Sequence, residues 1–401
     1  MQLKHLSLTQ FRNFARLDVE VPPGPTLIVG SNAQGKTSLL EAVYFLATLT
    51  SFHAETDRQL VNFTESLKPL AVARLQALYE NNGRQHQLEV RIIREQARNG
   101  SDRSRKEVLL DGAKKKGSEV AGQFSAVLFL PQMLQIVEGS PRFRRRYLDL
   151  ALSQTVPGYA EQLSDYEAIL SQRNALLKQL GEQGGDPGQL DFWDQRFSLR
   201  ASQLLEARFR AVQELDALGG RLHHELTRGS EVLKLLYQPS YDPLPNPDKQ
   251  RVLLAEPADR SSIERAKIES GFAEALRAAR REEIARGVTS LGPHRDELRF
   301  LSNGIDLGSY GSRGQVRTVL LTLKLAELDW MYARSGRRPL LLLDEVLAEL
   351  DEPRRADLQD RLGAEQQVLV TTTDFNLFKP EFVERAARWQ IEAGRLTEQA
   401  K

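Results

Sequence analysis

A phosphate-binding loop near the start of the chain constrains its fold more than any other feature. An apolar run at residues 26–29 leads into the loop, and a helical pattern follows from residue 38. Glycines let backbone N–H groups close around phosphates, while the helix N-terminus adds partial positive charge. The lysine of such a loop reaches the outer phosphates, and the hydroxyl after it binds Mg²⁺. We therefore predict a nucleotide site formed by Gly30, Ser31, Asn32, Ala33, Gln34, Gly35, Lys36 and Thr37.

The composition limits the classes of protein that can carry this loop. With 401 residues, the chain is long enough for two domains or for one domain with a large insertion. Its 55 basic and 54 acidic residues give a net charge of +1, so any site for a polyanion has to be local. The absence of cysteine excludes disulfides and thiol catalysis and is typical of a reducing cytoplasm. No leader pattern or long apolar run is present, so we expect a cytoplasmic protein without a membrane partner.

The first predicted domain, residues 1–138, has mainly the pattern of strands and contains the P-loop. Alternating apolar residues predict strands at 3–8 and 17–21. The pairs Asn82-Gly83 and Asp111-Gly112 predict hairpin turns, because both residues of such pairs tolerate a positive φ. Only residues 38–49 have convincing helical periodicity in this part of the chain. We therefore expect a β-rich lobe that is part of an ATPase domain.

The second predicted domain, residues 139–312, changes to helical periodicity. It begins with Ser140 as N-cap and Pro141 at the first helical position. Two long apolar stripes on either side of a break at 181–188 predict an antiparallel helical hairpin. Each arm would reach on the order of 35 to 50 Å at 1.5 Å per residue. A loop at 237–257 and a charged helix at 263–287 complete the expected helical lobe.

The third segment, residues 313–401, alternates helices and strands and holds two carboxylates. The apolar strand at 339–343 ends at Asp344 and Glu345, which are the usual acidic partners of a P-loop. Asp344 would hold Mg²⁺, and Glu345 would orient or deprotonate the water that attacks the γ-phosphate. The alternatives are a glycine-rich turn that binds nothing and an acidic pair that caps the next helix.

A second anion-binding helix start is predicted at Ser312, Gly314 and Gln315. A serine hydroxyl, a glycine N–H and a helix dipole can together hold a phosphate, although a serine at this position is also a common N-cap. The tetrapeptide precedes the acidic strand by one long helix, and Glu349, Leu350 and Asp351 follow that strand. This order, from P-loop to acidic pair, favours the phosphate-binding interpretation.

Taken together, these motifs resemble the ABC-type ATPase heads of SMC proteins and their break-repair relatives, in particular the RecF family. The resemblance covers nearly the whole chain and is weakest in the helical hairpin and from residue 181 to residue 257. It implies an α/β fold, with a β-rich P-loop lobe and a mainly helical second lobe that carries a short helical hairpin. The motifs specific to that family are residues 11–14, 39–42, 51–52, 57–58, 139–149, 290–296 and 324–327.

For the nucleotide site, the resemblance implies ATP, Mg²⁺ and a second copy of the chain. In that family the signature of one subunit closes over ATP held by another, so Ser312 and Gly314 would contact the partner's nucleotide. Gln315 and Asp351 are further expected nucleotide-binding residues. The expected assembly is an ATP-dependent homodimer. Arg12 and Asn13 match a position that contacts nucleotide in related heads, although an Arg-Asn turn between strands is an equally good interpretation.

Several positions depart from the family pattern. Gln132 would contact metal or water after the strand at 127–130, but RecF-like chains usually have Pro-Glu-Asp where this chain has Pro131, Gln132 and Met133. The family often has Asp at the position of Glu345 and a serine at the position of Ala348. Residues 371–374 replace the histidine switch of transporter-type heads. We therefore expect a weak ATPase that works as a conformational switch.

Basic residues between 91 and 116 form the clearest local positive patch. Nine basic residues, one of which is Arg98, stand against four acidic residues there. Phosphate contacts from such a patch would give salt-sensitive DNA binding. The alternative is that these charges keep exposed strand edges and loops soluble and bind no DNA. The predicted DNA contacts are Arg91, Arg94, Arg103, Arg105, Lys106, Lys114, Lys115 and Lys116.

Two other polar clusters each allow two interpretations. Four cations in residues 142–146 oppose the dipole of their own helix start, so they need compensation from internal carboxylates such as Asp149 or from DNA phosphates. The turn around His294 and Arg295 is either a buried polar turn or a link between the helical lobe and the nucleotide site.

The resemblance implies a function in recombinational repair and replication-fork maintenance. ATP would drive dimer closure on single-stranded or gapped duplex DNA, and hydrolysis would release the DNA. A RecR-like mediator would then help to load RecA, with a link to the SOS response. The alternatives are an ABC-type ATPase that does not clamp DNA and a nucleotide-gated scaffold that docks other proteins through its helical hairpin.

Overall fold

The computed structural model describes residues 1–96, 102–244, 258–363 and 366–399. The chain divides into two compact units, of which the first combines Met1–Met133 with Glu327–Lys401 and the second is Leu134–Ala326. The first unit is therefore made of two segments far apart in the sequence. The boundaries predicted at residues 138 and 312 stay predictions.

A mostly parallel sheet in the first unit carries the P-loop. Its strand order is β15-β14-β3-β13-β12-β8, and only β15 is antiparallel to its neighbour. Because the carboxyl ends of parallel strands meet at one edge, the segments after β3, β13, β12 and β8 follow one another along the same edge of the sheet. The strands are β3 (Pro25–Val29), β8 (Ala126–Phe129), β12 (Leu340–Asp344), β13 (Val368–Thr372), β14 (Ala387–Glu392) and β15 (Arg395–Gln399).

An antiparallel sheet of order β2-β1-β4-β5-β6-β7 forms the second layer of this unit. The hairpin turns predicted at Asn82-Gly83 and Asp111-Gly112 are confirmed, and all four residues have φ between 51° and 79°. These backbone angles are those that two-residue hairpin turns require. The strands are β1 (Gln2–Phe11), β2 (Phe14–Glu20), β4 (Leu70–Asn81), β5 (Arg84–Gln96), β6 (Asp102–Leu110) and β7 (Ala113–Lys115).

The helix after the P-loop, α1 (Lys36–Thr48), belongs to the same core as both sheets. Its residues Leu39, Leu40, Val43 and Phe45 are completely buried. A helix that is apolar on most of its surface can be stable only inside a core, which explains its place here. The other helices of the unit are α2 (Gly117–Val120), α10 (Glu352–Arg361) and α11 (Pro380–Arg385).

Helices dominate the second unit, as predicted. The predicted hairpin is confirmed as α5 (Tyr159–Gln183) and α6 (Leu190–Leu226), which have 25 and 37 residues. They reach about 38 and 55 Å at 1.5 Å per residue. The further helices are α3 (Gln135–Glu138), α4 (Pro141–Thr155), α7 (Arg265–Arg286), α8 (Leu307–Tyr310) and α9 (Arg313–Ser335), the last of which continues into the first unit.

A three-stranded antiparallel sheet in the second unit was not predicted. Its order is β11-β10-β9, with β9 (Leu233–Gln238), β10 (Glu297–Ser302) and β11 (Ile305–Asp306). The first two residues of the loop predicted at 237–257 thus belong to β9, and residues 245–257 lie outside the described ones. No helix within the described ranges has both the length and the apolar character needed to cross a bilayer.

Candidate nucleotide-binding site

Two glycines fit the P-loop into a crowded place at the edge of the parallel sheet. Gly35 has a φ of 117°, and a Cβ there would lie 2.4 Å from the Asn13 side-chain nitrogen. A Cβ on Gly30 would lie 2.4 Å from the Ile391 carbonyl oxygen. Neither position can hold a larger residue without displacing its neighbours, so both glycines are needed for packing as well as for phosphate approach.

Two turns distant in sequence brace the loop through Gln34. Asn13 donates its side-chain N–H to the Gln34 carbonyl over 2.9 Å, and Gly394 N donates to the same oxygen over 3.1 Å. The Ala393 N–H donates to Gln34 Oε1 over 2.6 Å. Asn13 thus supports the loop directly, while its predicted contact with nucleotide stays a prediction.

Lys36 is almost fully buried at the start of α1. Its Nζ donates to the carbonyl oxygens of Gly30 and Ser31 over 2.6 and 3.1 Å, and it lies 3.1 Å from Glu345 Oε1. The ammonium is therefore held inside the loop, beside one of the two predicted acidic residues. Ser31, Asn32 and Ala33 are exposed around it.

Asp344, at the end of β12, is held between two hydroxyl groups. Thr37 donates to its Oδ2 over 2.8 Å, and Thr371 at the end of β13 donates to its Oδ1 over 2.6 Å. Burial raises the pKa of Asp344, although these two hydrogen bonds act in the opposite direction. The predicted P-loop hydroxyl and acidic strand end are thus in direct contact.

Glu345 adopts a left-handed backbone conformation with φ 53° and ψ 20°. Its N–H lies 3.0 Å from the Thr371 hydroxyl oxygen and 3.3 Å from the Thr371 carbonyl oxygen. Such a conformation costs on the order of 1 kcal/mol for a residue other than glycine. The strain places the carboxylate beside Lys36, with 39% of the side chain still exposed.

Gln132 and Arg12 occupy different surroundings. Gln132 is exposed in the turn Pro131–Leu134, which follows β8 at the same sheet edge as Asp344. Arg12 instead forms a bidentate pair with the buried Glu41 of α1, with distances of 2.7 and 2.8 Å. The Arg12 guanidinium therefore ties the β1–β2 turn to the P-loop helix, and a role in nucleotide contact stays a prediction.

The signature residues lie in the second unit, at the start of α9. Ser312 and Gln315 form a reciprocal cap, since Gln315 N donates to Ser312 Oγ over 3.3 Å and Ser312 N donates to Gln315 Oε1 over 3.1 Å. Both Ser312 and Gly314 are exposed. Asp351, in the first unit, caps α10 by accepting from Arg354 N over 3.0 Å.

Most of the predicted DNA-binding residues already contact other residues of this chain. Lys106 is internal, since its Nζ donates to the Leu49 carbonyl over 2.6 Å and lies 5.0 Å from the centre of the Phe45 ring. Arg91 pairs with Glu89, Arg94 donates to the Ser66 carbonyl, and Arg105 and Lys114 both contact Glu107. Arg98 lies outside the described residues. The exposed members without internal roles in the described contacts are Arg103, Lys115 and Lys116.

One member of the arginine run at the start of α4, Arg144, is compensated by a carboxylate inside the second unit. Arg144 makes two hydrogen bonds to Glu297, over 2.6 and 2.8 Å, and donates to the carbonyls of Val137 and Gly139. Asp149, which the sequence suggested for this role, instead pairs with Arg208 at 2.7 Å. The compensating carboxylate therefore comes from β10 rather than from the same helix.

The turn around His294 is a buried polar turn. The Tyr166 hydroxyl lies 2.5 Å from His294 Nδ1, and burial, together with nearby arginines, lowers the pKa of His294 to about 4. Asp296 is also buried, which raises its pKa, and it accepts from Tyr237 and from the Ser240 N–H. These contacts give the turn a structural role, and its link to the nucleotide site stays a hypothesis.

The fold and this site define an ABC-type ATPase head. A family model described as the RecF/RecN/SMC N-terminal domain matches residues 2–389. The DNA replication and repair protein RecF of Roseiflexus castenholzii is 40% identical over 408 residues, which cover 99% of each chain. RecF of Chloroflexus aurantiacus is also 40% identical, over 410 residues and 99% of each chain. The chain belongs to the RecF family.

Solved structures support the same assignment. A recombination mediator protein RecF with ATP, of the RecFOR pathway, aligns over 100% of this chain and 98% of its own, with a TM-score of 0.83 and 27% identity. An SMC head bound to the winged-helix domain of ScpA aligns with a TM-score of 0.51 at 14% identity, which supports the fold alone. The predicted fold class and family are therefore confirmed.

Three residues with clear roles at these sites were not identified from the sequence. Thr371 holds both Asp344 and Glu345, Glu41 holds Arg12, and Glu231 contacts Gln315 of the signature at 3.4 Å. Each contact joins segments far apart in the chain. A threonine at the end of the strand beside the acidic strand is the only local signal, and it identifies Thr371 only when the strand order is known.

Proposed function

We propose that this protein is an ATP-dependent DNA-binding protein of recombinational repair and replication-fork maintenance. ATP closes a homodimer on single-stranded or gapped duplex DNA, and slow hydrolysis opens it. A RecR-like mediator then assists the loading of RecA, with a link to SOS induction. The proposal includes a cytoplasmic location, which the absence of cysteine favours.

One observation supports the ATP-dependent part above all others. The Thr37 hydroxyl and the Asp344 carboxylate lie 2.8 Å apart, although 307 positions separate them in the chain. A hydroxyl and a carboxylate are hard oxygen ligands of the kind that Mg²⁺ prefers, and two such protein ligands are usual when phosphates supply others. Thr37 and Asp344 would hold the ion, which neutralises charge on the outer phosphates when bound.

The other residues of the site would each act on a different part of the reaction. Lys36 exchanges the Gly30 and Ser31 carbonyls for oxygens of the outer phosphates, and Glu345 is then released from Lys36 to orient or deprotonate a water. Thr371 keeps Asp344 and Glu345 in place during this exchange. Because Glu345 has to leave Lys36 before it can act on a water, we expect turnover to be slow.

In the proposed dimer, each signature meets the nucleotide held by the other copy. The exposed Ser312 hydroxyl and Gly314 N–H supply donors at a helix start, where the dipole favours a phosphate. A closed two-fold assembly needs the same contact twice, so ATP would stabilise the dimer through two equivalent sites. DNA contacts from Arg103, Lys115 and Lys116 would depend strongly on salt.

Sedimentation velocity tests the proposal directly. Wild type, Lys36→Ala, Glu345→Gln and a control, Lys68→Ala, are compared with ATP and Mg²⁺, with and without gapped duplex DNA, at low and moderate salt. Lys68 has a 62% exposed side chain on the surface of the same unit, so its removal leaves the site intact. We expect ATP-dependent dimers of wild type and Lys68→Ala, monomeric Lys36→Ala, and a Glu345→Gln dimer that persists.

Three results would contradict the proposal. A wild-type monomer that is indifferent to ATP and DNA would favour the scaffold alternative, as would a Glu345→Gln protein that behaves like wild type. An ATP-dependent dimer that fails to bind DNA at any salt concentration would instead favour an ABC-type ATPase without DNA clamping.

A further inference from the structure

The Glu231 carboxylate connects two elements of the second unit, α6 and β10, with the signature motif. Its Oε2 accepts from the Ser302 hydroxyl of β10 over 2.8 Å and lies 3.1 Å from His223 Nε2 at the end of α6. Its Oε1 accepts from Gln315 Nε2 over 3.4 Å. Burial disfavours the charged form, but these three hydrogen bonds outweigh it and lower the pKa of Glu231.

The contact with Glu231 fixes the orientation of the Gln315 side chain. A backbone N–H can only donate and a carboxylate can only accept, so the Gln315 oxygen must face Ser312 N and its nitrogen must face Glu231. Ser312 Oγ accepts from Gln315 N, which leaves the serine proton available to another acceptor. The cap at the start of the signature helix therefore depends on Glu231, which accepts the hydrogen bond from the Gln315 side-chain nitrogen.

His223 strengthens this arrangement from the other side. It is completely buried, and its Nδ1 lies 3.1 Å from Thr322 Oγ1, whose proton is donated to the Thr318 carbonyl. Because a carboxylate can only accept, Nε2 donates to Glu231, while Nδ1 shares a hydrogen bond with the Thr322 hydroxyl. Glu231 is thus held by a buried imidazole that is itself attached to α9, the signature helix.

We infer that Glu231 is a positioning residue for the signature, because it fixes the Gln315 amide and through it the Ser312 backbone and hydroxyl. The inference rests on the proposed function, in which Ser312 and Gly314 bind the nucleotide of a second copy. Glu231 does not touch the nucleotide in this scheme. Its effect is to keep the donors of the signature at the geometry that dimer closure needs.

Glu231→Met is the decisive substitution, since it keeps the length of the side chain and removes the acceptor of the Gln315 amide. Glu231→Gln would not remove it, because the new amide oxygen can face Gln315 while the new nitrogen donates to Ser302 Oγ or His223 Nε2. We expect hydrogen exchange at the Ser312 and Gln315 amides to become about tenfold faster in Glu231→Met, the effect of one lost hydrogen bond. Glu182→Met, on an exposed i,i+4 pair with Lys178, is the matched control.

Exchanging the two side chains tests the specific contact. In the double variant Glu231→Gln, Gln315→Glu, the new carboxylate at position 315 accepts from Ser312 N and from the new amide nitrogen at position 231. The amide oxygen at position 231 accepts from Ser302 and His223, so all of the hydrogen bonds are restored and the net charge is unchanged. Exchange of the two backbone amides should return to within about threefold of wild type, since the contact is remade. Gln315→Met is the second variant if Glu231→Met does not fold.

The same variant separates positioning from nucleotide binding. Glu231→Met should bind a fluorescent ATP analogue within about twofold of wild type, because the P-loop lies in the other unit, and should form ATP-dependent dimers about tenfold more weakly. Wild-type amide exchange in Glu231→Met would overturn the inference, as would faster exchange with wild-type dimerisation. A wild type that never dimerises would refute the proposed function alone, because the exchange measurements do not depend on dimer formation.

Discussion

Thr371→Val tests how the acidic residues of the nucleotide site are held. The substitution keeps the branched shape of a side chain that is only 1% exposed, so no cavity forms. It removes the 2.6 Å hydrogen bond to Asp344 and the 3.0 Å hydrogen bond from the Glu345 N–H. A hydrogen bond to a buried charged group contributes about 1.5–3 kcal/mol, and Glu345 N keeps the Thr371 carbonyl as acceptor. We expect the free energy of unfolding to fall by about 2 kcal/mol.

Thr26→Val on the neighbouring strand β3 is the matched control. Thr26 is also completely buried, but its hydroxyl oxygen has no hydrogen-bond partner among the described residues. The same change of atoms there removes an unsatisfied polar group, so the free energy of unfolding should stay the same or rise by up to about 1 kcal/mol. The two variants are therefore predicted to differ in sign.

Urea unfolding followed by tryptophan fluorescence measures both variants. Trp330 and Trp389 are buried in the first unit, so fluorescence reports mainly on the unit that contains the site. With a slope of about 2–3 kcal/mol per M, a loss of 2 kcal/mol lowers the midpoint by roughly 0.7–1 M. Affinity for Mg²⁺-ATP should fall in Thr371→Val and not in Thr26→Val.

Equal effects of the two substitutions would refute this reasoning, since they would show that the valine change itself, rather than the lost contacts, sets the stability. An unchanged midpoint for Thr371→Val would show that Asp344 is satisfied without this hydroxyl.

Two further substitutions test other parts of the structure. Gly35→Ala should lower the free energy of unfolding by more than about 2 kcal/mol, because the new Cβ would lie 2.4 Å from Asn13 and the backbone φ is 117°. Gly83→Ala, which has open space around it, should cost only about 1 kcal/mol in the same urea measurement. His294→Asn tests the pKa of about 4 that His294 has in the folded protein. In wild type, the folded state binds fewer protons than the unfolded chain at pH values below the ordinary histidine pKa of 6.5. Wild type should lose stability relative to His294→Asn as the pH falls from about 6.5 to 4, and parallel pH profiles of the two proteins would contradict this.

The features that could be predicted from sequence are those with local causes. The P-loop, the acidic strand end and the hairpin turns at Asn82-Gly83 and Asp111-Gly112 depend on residue types at fixed short spacings. The β9–β10 pairing joins Glu297 to Gln238, and only folding brings these residues together. The same reason explains why Glu297 rather than Asp149 compensates Arg144, and why Thr371 and Glu231 carried no recognisable signal. Spacing identifies a motif, but it does not identify the side chains that hold the motif in place.

The position of β3 in its sheet has a consequence for the order in which the protein is made. β3, which leads into the P-loop, lies between β13 and β14, strands that begin at residues 368 and 387. On the ribosome, the P-loop segment therefore emerges more than 330 residues before either of its neighbours. The second unit is synthesised entirely within that interval, and its helices rely on contacts that are mostly closer in sequence. A nascent chain thus contains the whole second unit before it contains the strands that flank β3 and complete the nucleotide site.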